Sequence, residues 1–156
     1  MKCWGLNQAG QLGLGHREPR GANLADLGDL LPAVKLGVGM AARAISAGAV
    51  HTCALLADFS VRCWGLNASG ELGIGTTANQ GDDAREDGDA LPPVRLDAPS
   101  VGATSIAAGA NHTCAVHGAT VTCWGSNRFG RLGVGDVNNR GDSARAVAGV
   151  DLEGHD

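Results

Sequence analysis

Five cysteines and the histidines beside them are the residues of this chain with the most chemistry to offer. Cys53 and Cys63 flank a turn signal, Ala57-Asp58-Phe59-Ser60, that separates the β-compatible runs His-Thr-Cys-Ala-Leu-Leu and Val-Arg-Cys-Trp-Gly. Cys114 and Cys123 flank His117-Gly118-Ala119-Thr120 in the same way. Each segment reads as a hairpin. Directly opposed residues on antiparallel strands lie ~4.5–5.5 Å apart at Cα, a span a disulfide can bridge. The spacing therefore predicts the disulfides Cys53–Cys63 and Cys114–Cys123. Cys3 repeats the place of Cys63 and Cys123, and its partner would lie ahead of residue 1. It is expected to be a free thiol.

A competing use of the same residues is zinc. His51-x-Cys53 with Cys63, and His112-x-Cys114 with Cys123, are His-Cys-Cys sets. Residues two apart on a strand share a face, so chelation is conceivable. No Cys-x-x-Cys occurs, however, and each set lacks a fourth ligand. The plainer reading makes His51 and His112 structural, bonded to nearby backbone, and no metal or cofactor is expected.

Other short patterns have plain explanations. Asp82, Asp83, Glu86, Asp87 and Asp89 form an acidic stretch that reads as a solvated loop. Asp136-x-Asn138-x-Arg140-Gly141 resembles a calcium loop, but Arg140 and Val147 stand where ligands are needed. Arg140-Gly141-Asp142 falls at the place of Gln80-Gly81-Asp82 and belongs to a repeat. Asn67-Ala68-Ser69 and Asn111-His112-Thr113 match the glycosylation sequon, but both asparagines also belong to the repeat pattern. No nucleophile–base–acid set stands out, so no catalytic residue is expected.

These residues are positioned by a strict internal period. Residues 3–15 read CWGLNQAGQLGLG, 63–75 read CWGLNASGELGIG and 123–135 read CWGSNRFGRLGVG, with an offset of 60 both times. The shared positions are Trp4, Gly5, Trp64, Gly65, Asn67, Gly70, Leu72, Gly73, Gly75, Trp124, Gly125, Asn127, Gly130, Leu132, Gly133 and Gly135, with their counterparts in the first copy. A second block precedes two copies: ISAGAVHTCALL at 45–56 and SIAAGANHTCAV at 105–116. The glycine-rich stretch after each tryptophan suits a compact loop. Leu12, Leu72 and Leu132 are expected to plug that loop into the core. The tryptophans point to the strand face opposite the cysteines and are expected to fill gaps between repeats. Segments 16–30 and 76–90 read as long surface loops, each leading to a short strand, Ala33–Leu36 or Val94–Leu96. Each repeat thus offers about four short strands and no helix-period segment.

The pattern [IS/IA]-A-G-x-x-H-T-C-A-[LV]…C-W-G-x-N-x-x-G-x-L-G-x-G resembles the RCC1 (regulator of chromosome condensation) repeat, over nearly the whole chain. The resemblance implies an all-β fold, a partial, open β-propeller of about two and a half blades, where complete members have seven blades of four antiparallel strands. The chain reads as a single array: the end of a truncated repeat at 1–36, a second repeat at 37–96 and a third, with an incomplete tail, at 97–156. It is expected to be a fragment of a longer chain or a shortened product, with open strand edges available for self-association.

Bulk properties set limits. Glycine supplies 25 of 156 residues, against a usual ~7%, which argues against long helices. Net charge is −4 with no Lys/Arg cluster, so nucleic-acid binding through a basic stripe is disfavoured. No apolar run approaches the ~20 residues of a membrane helix. Disulfides imply export, yet no apolar segment follows Met1-Lys2 as a signal peptide requires. The expected location is extracellular or at a cell surface, or cytoplasmic if the cysteines are free. The Ala/Gly/Asp/Arg-rich composition looks bacterial.

The expected function is non-enzymatic: a protein-interaction or scaffold module whose loops 16–30, 76–90 and 136–149 meet an unknown protein partner. The alternative is guanine-nucleotide exchange on a small GTPase, by analogy with the founding family member. No exchange-specific residue matches a position here.

Overall fold

The computed structural model describes residues 1–96, 101–143, 147 and 149–150. It is all-β, with two antiparallel sheets. The first contains β1 (Ala42–Ala47), β2 (His51–Leu56) and β3 (Val61–Gly65), ordered as in the sequence. The second contains β4 (Ala103–Ala108), β5 (His112–His117), β6 (Thr120–Gly125) and β7 (Gly149–Val150). Each sheet is one blade. Ahead of them, residues 1–36 supply the outer part of another, held by a Gly5↔Arg20 bridge and by the Val34 N–H donating to Met1 O. The array does not close.

Turn chemistry fixes the register. The β2–β3 turn carries Phe59 at φ 66°, and Asp58 Oδ1 accepts from both the N–H and the hydroxyl of Ser60. The β5–β6 turn is a residue tighter and places Gly118 at φ 59°. Both registers set the cysteines directly opposite: Cys53↔Cys63 and Cys114↔Cys123. Alternation along β3 and β6 then sends each cysteine to one face and the tryptophan after it to the other.

Hydrophobic cores form between blades. Cys53, Leu55, Val61, Cys63, Leu72, Ile74 and Val94 pack against Ala103, Ala115, Trp124 and Val147. Between the first two units, Val34 and Leu36 pack with Ala54, Leu56, Trp64 and Leu91, joined by Cys3, Leu14 and Met40. Burial at these junctions is the main stabilising term available to so aromatic-poor a chain.

The fourth strand of each unit is weaker than the sequence indicates. Ala33–Leu36 forms no strand, and around Val94–Leu96 only isolated bridges occur, Arg62↔Pro93 and Leu96↔Val147. Pro32, Pro92 and Pro93 remove ladder donors at these places, leaving one bond per unit to the Cys-Trp-Gly segment, from Val34 N–H to Met1 O and from Val94 N–H to Val61 O. The long loops also contain short 3₁₀ turns at Leu24–Asp26, Gly28–Leu30 and Gly88–Ala90. Among the described residues no helix is long and apolar enough to cross a membrane.

Candidate functional site

The cysteines are committed to covalent bonds. Cys53–Cys63 and Cys114–Cys123 are disulfides with Cα atoms 4.1 Å apart, and Cys3 is free and half-buried. Sulfur bonded to sulfur is no thiolate ligand, so the zinc reading of these sets fails. Among the described residues no group of three His, Cys, Asp or Glu is placed to hold a metal.

The residues shared by all copies build one device, a loop clamped from within and gripped from the next blade. Asn67 is fully buried. Its Oδ1 accepts from Leu72 N–H at 2.9 Å, and its Nδ2 donates to Thr76 O and Ala78 O, both at 2.8 Å. Asn7 does the same for Leu12 N–H, His16 O and Glu18 O. Asn127 bonds Leu132 N–H and Asp136 O. Each asparagine satisfies backbone groups that burial would otherwise orphan. Leu12, Leu72 and Leu132 are buried beneath the loops.

The grip comes from the following repeat. Trp64 Nε1–H donates to Gln11 O at 3.0 Å, and Thr52 Oγ1 donates to the same carbonyl at 2.9 Å. Trp124 Nε1–H donates to Glu71 O at 2.8 Å, with Thr113 Oγ1 at 3.4 Å. The indoles lie flat on glycine: a Cβ on Gly13 or Gly73 would stand within 3.0 Å of Trp64 or Trp124. Gly70 likewise lies against Arg140 O and Asp142 N, which uses up Arg140-Gly141-Asp142 in the junction. Asp136, the head of the supposed calcium loop, is held by Arg140 at 2.6 Å, and Val147 is buried in the core.

His51 is buried and meets a side chain instead of the backbone expected for it: its Nε2 stands 2.8 Å from Thr113 Oγ1 on the next blade. Its Nδ1 has no partner. Burial, and secondly the nearby His112, push its pKa down to about 4. Burial also lowers His112, helped by Arg131. His51 is therefore a neutral junction residue near pH 7.

Above this framework the loops differ. Leu24, Leu27 and Leu30 are exposed on the first loop, where the second carries Ala84, Asp87 and Ala90. Arg17 of the first loop pairs with Asp82 of the second, and Lys35 pairs with Asp87. The loop expected at 136–149 falls partly outside the described residues. Sequence reading missed the acceptors of the tryptophans, Gln11 O and Glu71 O, because a carbonyl is common to every residue type. It also missed the leucine trio, which comparison of aligned loop positions could have found.

The repeat profile described as "Regulator of chromosome condensation (RCC1) repeat" matches residues 3–55 and 60–116. The Ultraviolet-B receptor UVR8 of Arabidopsis thaliana is 34% identical over 139 residues, 88% of this chain and 28% of that protein. An X-linked retinitis pigmentosa GTPase regulator homolog of Caenorhabditis elegans is 30% identical over 138 residues, 87% of this chain and 9% of that protein. Among solved structures, Prp20p of Saccharomyces cerevisiae superposes with a TM-score of 0.66 at 22% identity, over 96% of this chain and 34% of that one, a likeness of fold. This chain thus spans about a third or less of the length of each. The repeated Cys-Trp-Gly hairpins, the asparagine-clamped loops and the profile matches over most of the chain establish that it belongs to the RCC1 repeat family.

Proposed function

We propose that this chain is a non-catalytic protein-interaction module that displays its long loops on a disulfide-stapled propeller frame. One observation carries the reading. The clamp beneath each loop is the same, Asn7, Asn67 or Asn127 with its leucine, while the residues above it differ. An unchanging support under changing tips is the arrangement of a recognition surface. The exposed trio Leu24, Leu27 and Leu30 sits where Ala84, Asp87 and Ala90 show that the fold does not require leucine. The relatives agree in kind: Prp20p is described with binding properties to Gsp1p and histones. The disulfides favour an oxidising compartment, outside the cytoplasm.

A photo-crosslinker placed at position 25, exposed between Leu24 and Leu27, tests the reading. The expected result is a discrete crosslinked partner whose capture, repeated with purified components, is lost when the three leucines are replaced by Ala, Asp and Ala. Capture unaffected by that replacement would remove the loop from the proposal. The second reading, regulation of a small GTPase, is favoured only by the names of the relatives. Nucleotide release from a loaded GTPase is expected to be unchanged by micromolar chain, and acceleration would install that reading instead.

A further inference from the structure

We propose that the Cys53–Cys63 bond is made by a thiol–disulfide oxidoreductase while the β2–β3 hairpin is still uncovered, and that docking of the following blade then seals it against reduction. The class of reaction that must supply this bond is therefore a dithiol oxidation ahead of blade packing. The inference stands apart from the role of the loops.

This hairpin has a unit on either side, so both of its faces are seen packed. Its sulfur face looks towards the following blade. Cys53 and Cys63 are both 0% exposed. They share one core with Ala103, Ala115, Trp124 and Val147 of the next unit. Thr113 Oγ1 of that unit stands 3.7 Å from Cys53 Sγ and 2.8 Å from His51 Nε2. A disulfide is made or broken by a thiolate that reaches one of its sulfurs. With the next blade docked, neither sulfur offers such a path.

What brings the two cysteines together is local. They lie 10 residues apart in the sequence. Phe59 N–H donates to Leu56 O, Leu56 N–H donates to Ser60 O, and Asp58 Oδ1 accepts from Ser60. These bonds set Cys53 opposite Cys63 without any group from the next blade. Strands β4 to β6 are synthesised later, and a hairpin closes in microseconds, far faster than a chain grows. The uncovered hairpin is thus the form that meets the oxidant.

The chemistry is two successive exchanges. One hairpin thiolate attacks the disulfide of the oxidoreductase, forming a mixed disulfide and releasing the first oxidoreductase thiolate. The second hairpin thiolate then attacks the hairpin sulfur of that mixed bond. The Cys53–Cys63 bond forms, the mixed bond breaks, and the oxidoreductase leaves as a dithiol that carries the two hairpin protons. The hairpin is oxidised by two electrons and the oxidoreductase is reduced by two.

Reduction of the full chain by dithiothreitol, read by alkylation and peptide mass spectrometry, tests the seal. Cys53–Cys63 should open about a hundredfold slower in buffer than in denaturing urea, because the bond must wait for its cover to lift. Trp124→Ala should raise the rate in buffer about a hundredfold. Trp64→Ala, the same change at the junction behind the hairpin, should raise it less than about threefold. Val147→Ala, a smaller deletion in the core over the sulfurs, should raise it about tenfold and serves if Trp124→Ala does not fold. A buffer rate within about tenfold of the unfolded rate, or equal acceleration by changes at the two junctions, would overturn the seal. The order of events is read on the reduced wild-type chain, with oxidised glutathione as the oxidant. Cys53–Cys63 should close about tenfold faster when the oxidant is present during dilution from urea than when it is added after tryptophan fluorescence has settled. Equal closure rates would overturn the order.

Discussion

Trp4 and Trp64 are the same residue in successive copies of one motif, and they live in opposite environments. Trp64 is 0% exposed and Trp4 is 65% exposed. The strand, the neighbouring glycine and the loop that follows are alike. What differs is the loop of a preceding repeat: Gln11 O and Gly13 receive Trp64, and no such loop receives Trp4 among the described residues. The comparison teaches that the motif is half of a contact. A tryptophan here stabilises a junction and not its own repeat, which is how a linear array distributes its stability.

The sharpest way to break this comparison is truncation. Trp64→Ala or Trp124→Ala should cost about 3–5 kcal/mol, the usual toll for emptying a buried aromatic site. Trp4→Ala should cost less than about 0.5 kcal/mol, as surface changes do. Urea midpoints of the three variants decide it, and equal shifts would refute the half-contact view.

Acid should come next. In the unfolded chain His51 titrates near its ordinary value of about 6.5, and in the fold it is held down to about 4. The folded value is depressed, so the stability is intact above pH 6.5 and is lost as pH falls towards 4, because only the unfolded state takes up the proton there. The loss approaches about 3 kcal/mol. Thermal unfolding followed across that window should show a slope that His51→Gln flattens.

The cysteines repeat the contrast at smaller scale. Replacing Cys53 and Cys63 together by alanine should remove about 2–3 kcal/mol, as expected for a short closed loop, whereas Cys3→Ser should leave the denaturation curve in place. Smallest is the loop-to-loop pair. Arg17→Ala should lower stability by at most about 1 kcal/mol, because Arg17 is mostly solvated, and added salt should erase the difference.

Some of this was legible in the residues and some was not, for physical reasons. The Cys53–Cys63 pairing was readable because a short turn fixes register, and register fixes which side chains oppose each other. The short strands and the lack of helices followed from the period and the glycine content, and the open propeller array from the resemblance to the RCC1 repeat. Ala33–Leu36 was over-read: an apolar run signals a strand only if a partner edge can receive its donors, and the prolines beside it limit that. His51 to Thr113 spans two blades, and local spacing carries no signal of it. Val94 stands over Gly73 as Val150 stands over Gly133, although the offset of 60 that relates the glycines does not relate the valines.

The indole-to-carbonyl bonds all run in one sense, with the later repeat donating and the earlier accepting. The array therefore has a head and a tail, and each junction is a copy of the last. Recombination in the coding DNA between repeats cut at equal phase would insert or delete a whole junction and leave the remaining ones chemically unaltered. Length in such a chain can drift by whole units without redesign of any side chain, while a cut at unequal phase would strand a tryptophan without its carbonyl.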